Sequence, residues 1–331
     1  VIEDPRRTSF RIFNENGGKF RVSVINLCNL DCFFCHNEAM PNPRRGARRE
    51  ERLSTEDLLA IINAYTRLGG RQVNITGGEP LAHPEIVAVL EGIQKRTSII
   101  VLNTNAVLAE RLLRRPKIAG LDQIFASLHT TEEAEFREKL GGRSIERVME
   151  NIVALRRHGY DVQINFSLGP YNREGFEGVL DFAIRNGIKL KAIALVRPNE
   201  DPGFYGGDWV DPAWLTGILE SRAAKPLDTQ ATFGGETTTY RIDGAMVKVK
   251  NIARARLETD FCSGCSHRSA CGEGIYGVRV GPDGFWKPCL LRREKFVPVS
   301  RDRSWEDQIL DVISSMIGRW ENARFLTGAP G

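Results

Sequence analysis

Two hydrophobic periodicities alternate along residues 20–196. Residues 20–25 form an apolar run of strand length. Ser54 is a good N-cap for the stretch 56–68, where apolar residues recur at helical spacing until Gly69-Gly70 stops it. Residues 73–75 read as a strand, 84–94 as a helix, 98–102 as a strand, and 107–115 as a helix closed by Pro116. A strand over 123–128 precedes a helical stretch that ends near 157. Strand 162–168, helix 173–186 closed by Gly187, and strand 190–196 complete the series. Six strand–helix units with right-handed crossovers predict a parallel α/β sheet, doubly wound or curled into a partial barrel. Short apolar strands suit a sheet covered by helices.

Beyond 196 the pattern changes. Residues 197–207 are rich in Pro, Gly and acidic residues and read as a linker. Asp211-Pro212 should start a short helix to about 222. Hairpins are predicted over 237–249, around Asp243-Gly244, and over 278–289, around Pro282-Asp283-Gly284. Residues 304–319 make an amphipathic helix. The expected division is 1–200 and 201–331.

In parallel α/β sheets ligands bind beyond the carboxyl ends of the strands. The notable polar residues fall there: Cys28, Thr76–Glu79, Asn103–Asn105, Ser127, His129 and Asn165. Seven cysteines stand in two clumps, 28, 32, 35 and 262, 265, 271, 289. An odd count in tight clumps, behind a start (Val1-Ile2-Glu3-Asp4-Pro5) with no apolar signal core, predicts metal-binding thiolates in a reducing, cytoplasmic setting rather than disulfides. No apolar run approaches a membrane span. The net charge of +4 suits an anionic small molecule without implying nucleic acid.

The spacing of Cys28, Cys32 and Cys35 lets three thiolates reach three corners of an iron–sulfur cube, leaving one iron open. A zinc site is the alternative, with His36 as fourth ligand. The stretch Cys28-Asn29-Leu30-Asp31-Cys32-Phe33-Phe34-Cys35, followed after the second strand by Thr76-Gly77-Gly78-Glu79-Pro80, resembles the signature of the radical S-adenosylmethionine superfamily. Over about 20–293 the chain resembles its molybdenum-cofactor GTP 3′,8-cyclase group, which carries an auxiliary-cluster domain of the twitch/SPASM type.

The resemblance implies a [4Fe–4S] cluster on Cys28, Cys32 and Cys35 that reductively cleaves bound S-adenosylmethionine. The resulting 5′-deoxyadenosyl radical takes hydrogen from a small-molecule substrate, with flavodoxin or ferredoxin as reductant. Phe34 would contact the adenine. Thr76, Gly77, Gly78, Glu79, Thr104, Asn105, Ser127 and Asn165 would complete the cofactor site. A second [4Fe–4S] cluster would sit on Cys262, Cys265, Cys271 and Cys289, where a structural zinc is the alternative.

The chain also departs from that group. Cys271 adds a fourth thiolate, which would leave the second cluster no open iron. His129 replaces an acid after Ser127-Leu128, as a proton donor, a substrate ligand or a polar pocket residue. Of the group's triphosphate-clamping cations Arg21 and Arg279 are matched, but Gln72, Asn74 and Gly277 stand at three others. That loss predicts a substrate smaller or less charged than GTP, anchored by Arg21 and Arg279. The expected substrate is nucleoside- or sugar-like, as for the antibiotic-pathway lyase cytosylglucuronic acid decarboxylase, with GTP cyclisation and peptide maturation as alternatives. Only about nineteen residues precede the first strand, too few for a winged-helix peptide-recognition module. The basic run 43–49 reads as a solvated loop.

Overall fold

The computed structural model describes residues 4–36, 38, 40, 51–195, 210–268, 271 and 273–326; side-chain statements also omit Ala253. The linker expected at 197–207 and the basic run 43–49 lie outside these residues.

The chain opens with helix α1 (Pro5–Glu15), capped by the Asp4 side chain, and enters β1 (Lys19–Ser23). Then follow α2 (Thr55–Arg67), β2 (Gln72–Thr76), α3 (Ile86–Gly92), β3 (Ile99–Thr104), α4 (Glu110–Leu113) and β4 (Gln123–Ser127). Two helices, α5 (Glu133–Leu140) and α6 (Ile145–Arg157), stand where one stretch was expected, because Gly141 takes a left-handed conformation and ends the first. Next come β5 (Asp161–Leu168), α7 (Phe176–Arg185), β6 (Lys189–Ala194) and α8 (Ala213–Ser221). The chain ends with β7 (Lys225–Thr232), β8 (Gly234–Ile242), β9 (Ala245–Glu258), β10 (Gly277–Val280), β11 (Phe285–Lys287), β12 (Val297–Pro298), α9 (Trp305–Ile317) and β13 (Arg324–Leu326).

Strands β1 to β6 lie side by side, all parallel, as the alternation predicts. The fold is thus α/β, a partial barrel of six β/α units that does not close. C-terminal strands extend both of its edges. β10 adds in parallel to β1, and β9 adds in parallel to β6. The order β12-β11-β10-β1-β2-β3-β4-β5-β6-β9-β8-β7 leaves β12 and β7 outermost.

One face of the six strands is apolar and fully covered by helices. Phe20, Val22, Val73, Ile75, Ile100, Leu102, Ile124 and Ile164 are buried there. Alternation puts the intervening residues on the opposite, inner face. Arg21 sits in register with Asn74, Ser127 with Asn165, Asn165 with Lys191, and Lys191 with Lys248. The inner face is therefore polar, and the polarity follows from strand parity.

Helix α1 and strands β7, β12 and β13 escaped the sequence pattern. Helix α1 buries Phe10 and Phe13 and packs on α9; its signal was the Asp4-Pro5 cap ahead of an apolar pair. Strand β7 is exposed at nearly every position, so no alternation marks it. Full burial of one phenylalanine is worth about 1.5–3 kcal/mol, which makes α1 an integral part of the core.

Candidate active site

The Cys28–Cys35 loop leaves the carboxyl end of β1 and is pinned from three sides. Gly78 N donates to Ile25 O at 2.6 Å and Glu79 N to Leu27 O at 2.9 Å. Asp31 N donates to Leu140 O at 3.0 Å and Phe33 N to Lys139 O at 3.2 Å, which fastens the loop to the end of α5. Cys35 N donates to Cys32 O at 3.0 Å and closes the turn that holds these two cysteines. Gly77 has φ +146°, and a Cβ there would lie 2.5 Å from Ile25 O. A Cβ on Gly78 would overlap the Leu27 carbonyl. The two glycines thus let β2's turn lie against the backbone leading to Cys28, a different use from close approach to a ligand.

Glu79 organises the next strand end. Its carboxylate accepts from Leu81 N at 3.0 Å, Thr104 Oγ1 at 2.6 Å and Asn105 N at 2.7 Å. Burial pushes its pKa up to about 7 despite these donors. Asn105 Nδ2 donates to Asn29 Oδ1 at 2.8 Å and lies 3.6 Å from Cys28 Sγ. Thr104 and Asn105 therefore brace the cysteine loop through Glu79 and Asn29. Thr76 Oγ1 reaches Glu38 at 3.4 Å.

Phe34 is buried and stacks on Tyr171, with ring centroids 5.1 Å apart. It meets His129 edge-on at 5.2 Å. His129 Nδ1 accepts from Ser167 N at 3.0 Å, and burial lowers its pKa to about 4. The ring is neutral near pH 7 and carries its proton on Nε2. Asn172 donates to His129 O and Ser167 O, both at 3.0 Å. Ser127 and Asn165 are adjacent on the inner face, and Gln163 Nε2 holds Asn165 Oδ1 at 2.9 Å. Tyr171 and Asn172 were missed; the turn Gly169-Pro170 after the fifth strand was their signal.

At the β1 edge stand Arg21 and Arg279, register partners on β1 and β10. Glu38 bridges them: Arg21 Nε donates at 3.0 Å and Arg279 Nε at 2.7 Å. Burial alone would raise the Glu38 carboxyl, but Arg21 and Arg279 outweigh it and hold it well below the usual range. His36 Nδ1 accepts from Glu38 N at 3.0 Å.

Sequence matching had suggested a loss of positive charge. Strand topology instead brings Lys19, Lys191, Lys248 and Lys250 to the inner face. Burial and mutual repulsion push Lys191 far below its ordinary pKa. Burial likewise lowers Lys19 and Lys250, each to about 8. None of the four has a carboxylate within ion-pair distance among the described residues. Lys250 Nζ lies over the Tyr276 ring at 4.2 Å. These lysines come from β1, β6 and β9, strands far apart in sequence, so no linear motif reveals them.

The second cysteine clump converges as well. Cys262, Cys265, Cys271 and Cys289 line one cavity with Arg256, Phe261 and Arg268. Among the described residues no three His, Cys, Asp or Glu side chains converge on a single-ion site. Burial pushes three of these thiols up, Cys262 to about 11, Cys289 to about 12 and Cys271 in the same direction. Cys28 is likewise pushed to about 12. Cys28, Cys262, Cys271 and Cys289 thus disfavour a free thiolate and would gain from a cationic iron centre. In donor type both sets fit an iron–sulfur group.

Comparison with known proteins agrees with this geometry. Residues 22–183 match the family model described as the radical SAM superfamily. A probable GTP 3′,8-cyclase of Methanococcus maripaludis (strain C6) is 28% identical over 293 residues, covering 87% of this chain and 90% of that protein. One from Methanocaldococcus jannaschii is 27% identical over 282 residues, covering 84% and 87%. Among solved structures, Streptococcus suis SuiB bound to S-adenosylmethionine superposes with a TM-score of 0.59 at 19% identity. That match covers 89% of this chain, which spans 64% of the SuiB chain. Native anSMEcpe with bound AdoMet gives 0.54 at 14% identity, covering 89% and 80%. Family match, strand order and cysteine loop agree: residues 22–183 form a radical S-adenosylmethionine domain, and the chain is a radical S-adenosylmethionine enzyme similar to the GTP 3′,8-cyclases.

Proposed function

We propose that this enzyme acts on a phosphorylated nucleoside of the kind that GTP 3′,8-cyclases take. The observation that carries this reading is the set of four lysines on the inner face, Lys19, Lys191, Lys248 and Lys250, beside Arg21 and Arg279. Lys250 is buried and the other three are half-buried, and cations so placed without carboxylate partners are costly unless an anion compensates them. A nucleotide's phosphates supply that charge.

Cys28, Cys32 and Cys35 would hold a [4Fe–4S] cluster. When bound, that cluster supplies the electron that splits S-adenosylmethionine and generates a carbon radical able to take hydrogen from an unactivated C–H bond. The chain's own residues bind and orient. Phe34, backed by Tyr171, offers an aromatic face to the adenine. Thr76–Glu79, Thr104 and Asn105 fix the carboxyl ends of β2 and β3. Ser127 and Asn165 offer polar groups on β4 and β5. His129, neutral and held at Nδ1, presents an N–H donor in place of an acid. Residues 1–200 would carry this site and 201–331 a second cluster on Cys262, Cys265, Cys271 and Cys289. With four thiolates that cluster would transfer electrons or serve structure instead of binding substrate. No helix among the described residues is long and apolar enough to cross a membrane. A cytoplasmic enzyme served by flavodoxin or ferredoxin fits the cluster's need for a reductant.

A second reading is a decarboxylase-type reaction on a carboxylated sugar nucleoside. Its support is Glu38, which already neutralises Arg21 and Arg279 and suits that wall to a weakly charged ligand. The likeness to SuiB is one of fold, and the peptide reading draws no residue-level support from it. The discriminating experiment is 5′-deoxyadenosine release under strong reductant with GTP, other nucleoside triphosphates or a cytosine glucuronide. Release stimulated by a triphosphate supports the first reading. Release stimulated only by the glucuronide overturns it in favour of the second.

A further inference from the structure

The β10–β11 hairpin joins the two cysteine loops through buried charge. Arg279 on β10 and Lys287 on β11 are register partners, and both reach Glu38, three residues beyond Cys35. Arg279 Nε donates to Glu38 Oε2 at 2.7 Å, and Lys287 Nζ donates to Glu38 O at 2.9 Å. The other side of the guanidinium serves the second loop. Its NH2 group pairs with Glu273 Oε1, two residues beyond Cys271, and NH1 donates to Gly277 O at 3.0 Å. Lys287 itself stands two residues before Cys289.

All three members of the Glu38–Arg279–Glu273 chain are buried, at 3%, 1% and 1% exposure. Salt screens exposed charges beyond about 10 Å at 0.1 M ionic strength, but it screens buried ones much less. A planar guanidinium can serve two carboxylates at once in fixed directions, whereas a single ammonium holds a point. Glu273 Oε2 has no hydrogen-bond partner among the described residues, so its pairing rests on the Oε1 contact with Arg279. Any change of charge at Glu38 therefore alters how fully Arg279 compensates Glu273 beside Cys271.

We propose that Glu38–Arg279–Glu273 is an electrostatic strut through which each cysteine loop senses charge on the other, with Glu38 a positioning residue for the auxiliary cluster. This rests on the reading of both cysteine sets as cluster sites. Glu38 acts through Arg279 without touching the second set. Replacing its carboxylate by an amide releases Arg279 to Glu273 and raises the net positive charge at the second loop. A more positive surrounding stabilises the reduced, more negative cluster.

The test is an EPR-monitored redox titration of anaerobically reconstituted full-length protein in which Cys28, Cys32 and Cys35 are alanine. Only the C-terminal cluster then gives a signal. Adding Glu38→Gln should shift its midpoint potential upward, and Glu38→Asp, which keeps the charge, should move it back toward the starting value. The same substitutions in the chain with all seven cysteines are titrated in parallel. They cover a failure of the triple variant to fold, and the composite signal must then move upward too. An unchanged potential with Glu38→Gln, or equal shifts with Gln and Asp, overturns the strut. Absence of iron in the triple variant, read before titration, overturns the cluster reading itself, and the iron count separates the two failures.

Discussion

Glu79 on the turn after β2 and Asn105 on the turn after β3 are joined by a 2.7 Å hydrogen bond from the Asn105 backbone N–H to Glu79 Oε2. This bond ties two strand ends into one rim beside Cys28. Because burial raises Glu79 to about 7 from an ordinary 4.5, the folded state binds its proton more tightly than the unfolded state does. The stabilising contribution is complete below pH 4.5 and is lost as pH rises through 7. Between these values the apo protein should lose on the order of 3 kcal/mol from this group. Thermal melts from pH 4.5 to 8 should show a shallower decline in Glu79→Gln than in the wild type. Parallel curves would show that Glu79 does not titrate in this window.

A Cβ at position 78 has no room beside the Leu27 carbonyl. Gly78→Ala should displace the backbone entering the cysteine loop at a cost of about 1–3 kcal/mol. Iron bound by the N-terminal set should fall with it, while iron bound elsewhere stays. Iron analysis of Gly78→Ala against the wild type checks this; full iron retention would contradict it.

The inner-face lysines should set both the affinity for a nucleotide and its pH dependence. Charge-assisted contacts are worth about 1.5–3 kcal/mol, so Lys250→Met should weaken GTP binding by about 10- to 100-fold. Lys19 and Lys250 are both lowered to about 8 by burial. An anion binds their protonated forms, so affinity should fall as pH rises through 8. Calorimetric titration at pH 7 and 9 measures this, and an affinity that does not fall at pH 9 would remove the lysines from the binding site.

Helix α1 should behave as core. Phe13 is fully buried, and its ring lies 6.4 Å from that of Phe233. Phe13→Ala should destabilise the fold by about 3–5 kcal/mol in denaturant unfolding. A loss under 1 kcal/mol would mean that the helix is dispensable.

Much of this was legible in the chain. The six alternating strands and helices announced the parallel sheet because each strand is covered by helices and so reads as a short apolar run. The Cys28–Cys35 spacing and the turn at Thr76–Glu79 pointed to a candidate site, and the structure packs the two segments together. What stayed hidden depends on pairing between distant strands. Lys191 and Lys248 meet only because β9 joins β6 in parallel, and Arg279 meets Arg21 only because β10 joins β1. Glu38 gains Arg279 as a partner only through that same edge pairing. Strand β7 carried no pattern because nearly all of it is exposed.

The central claim is that two separate cysteine sets hold iron for radical chemistry. The most direct measurement is iron and sulfide per chain after anaerobic reconstitution, in the wild type and in the variant with Cys28, Cys32 and Cys35 changed to alanine. The account predicts about eight irons falling to about four, one four-iron cluster lost with the triplet. A wild-type value that does not fall in the variant would contradict it, because the triplet would then hold no cluster.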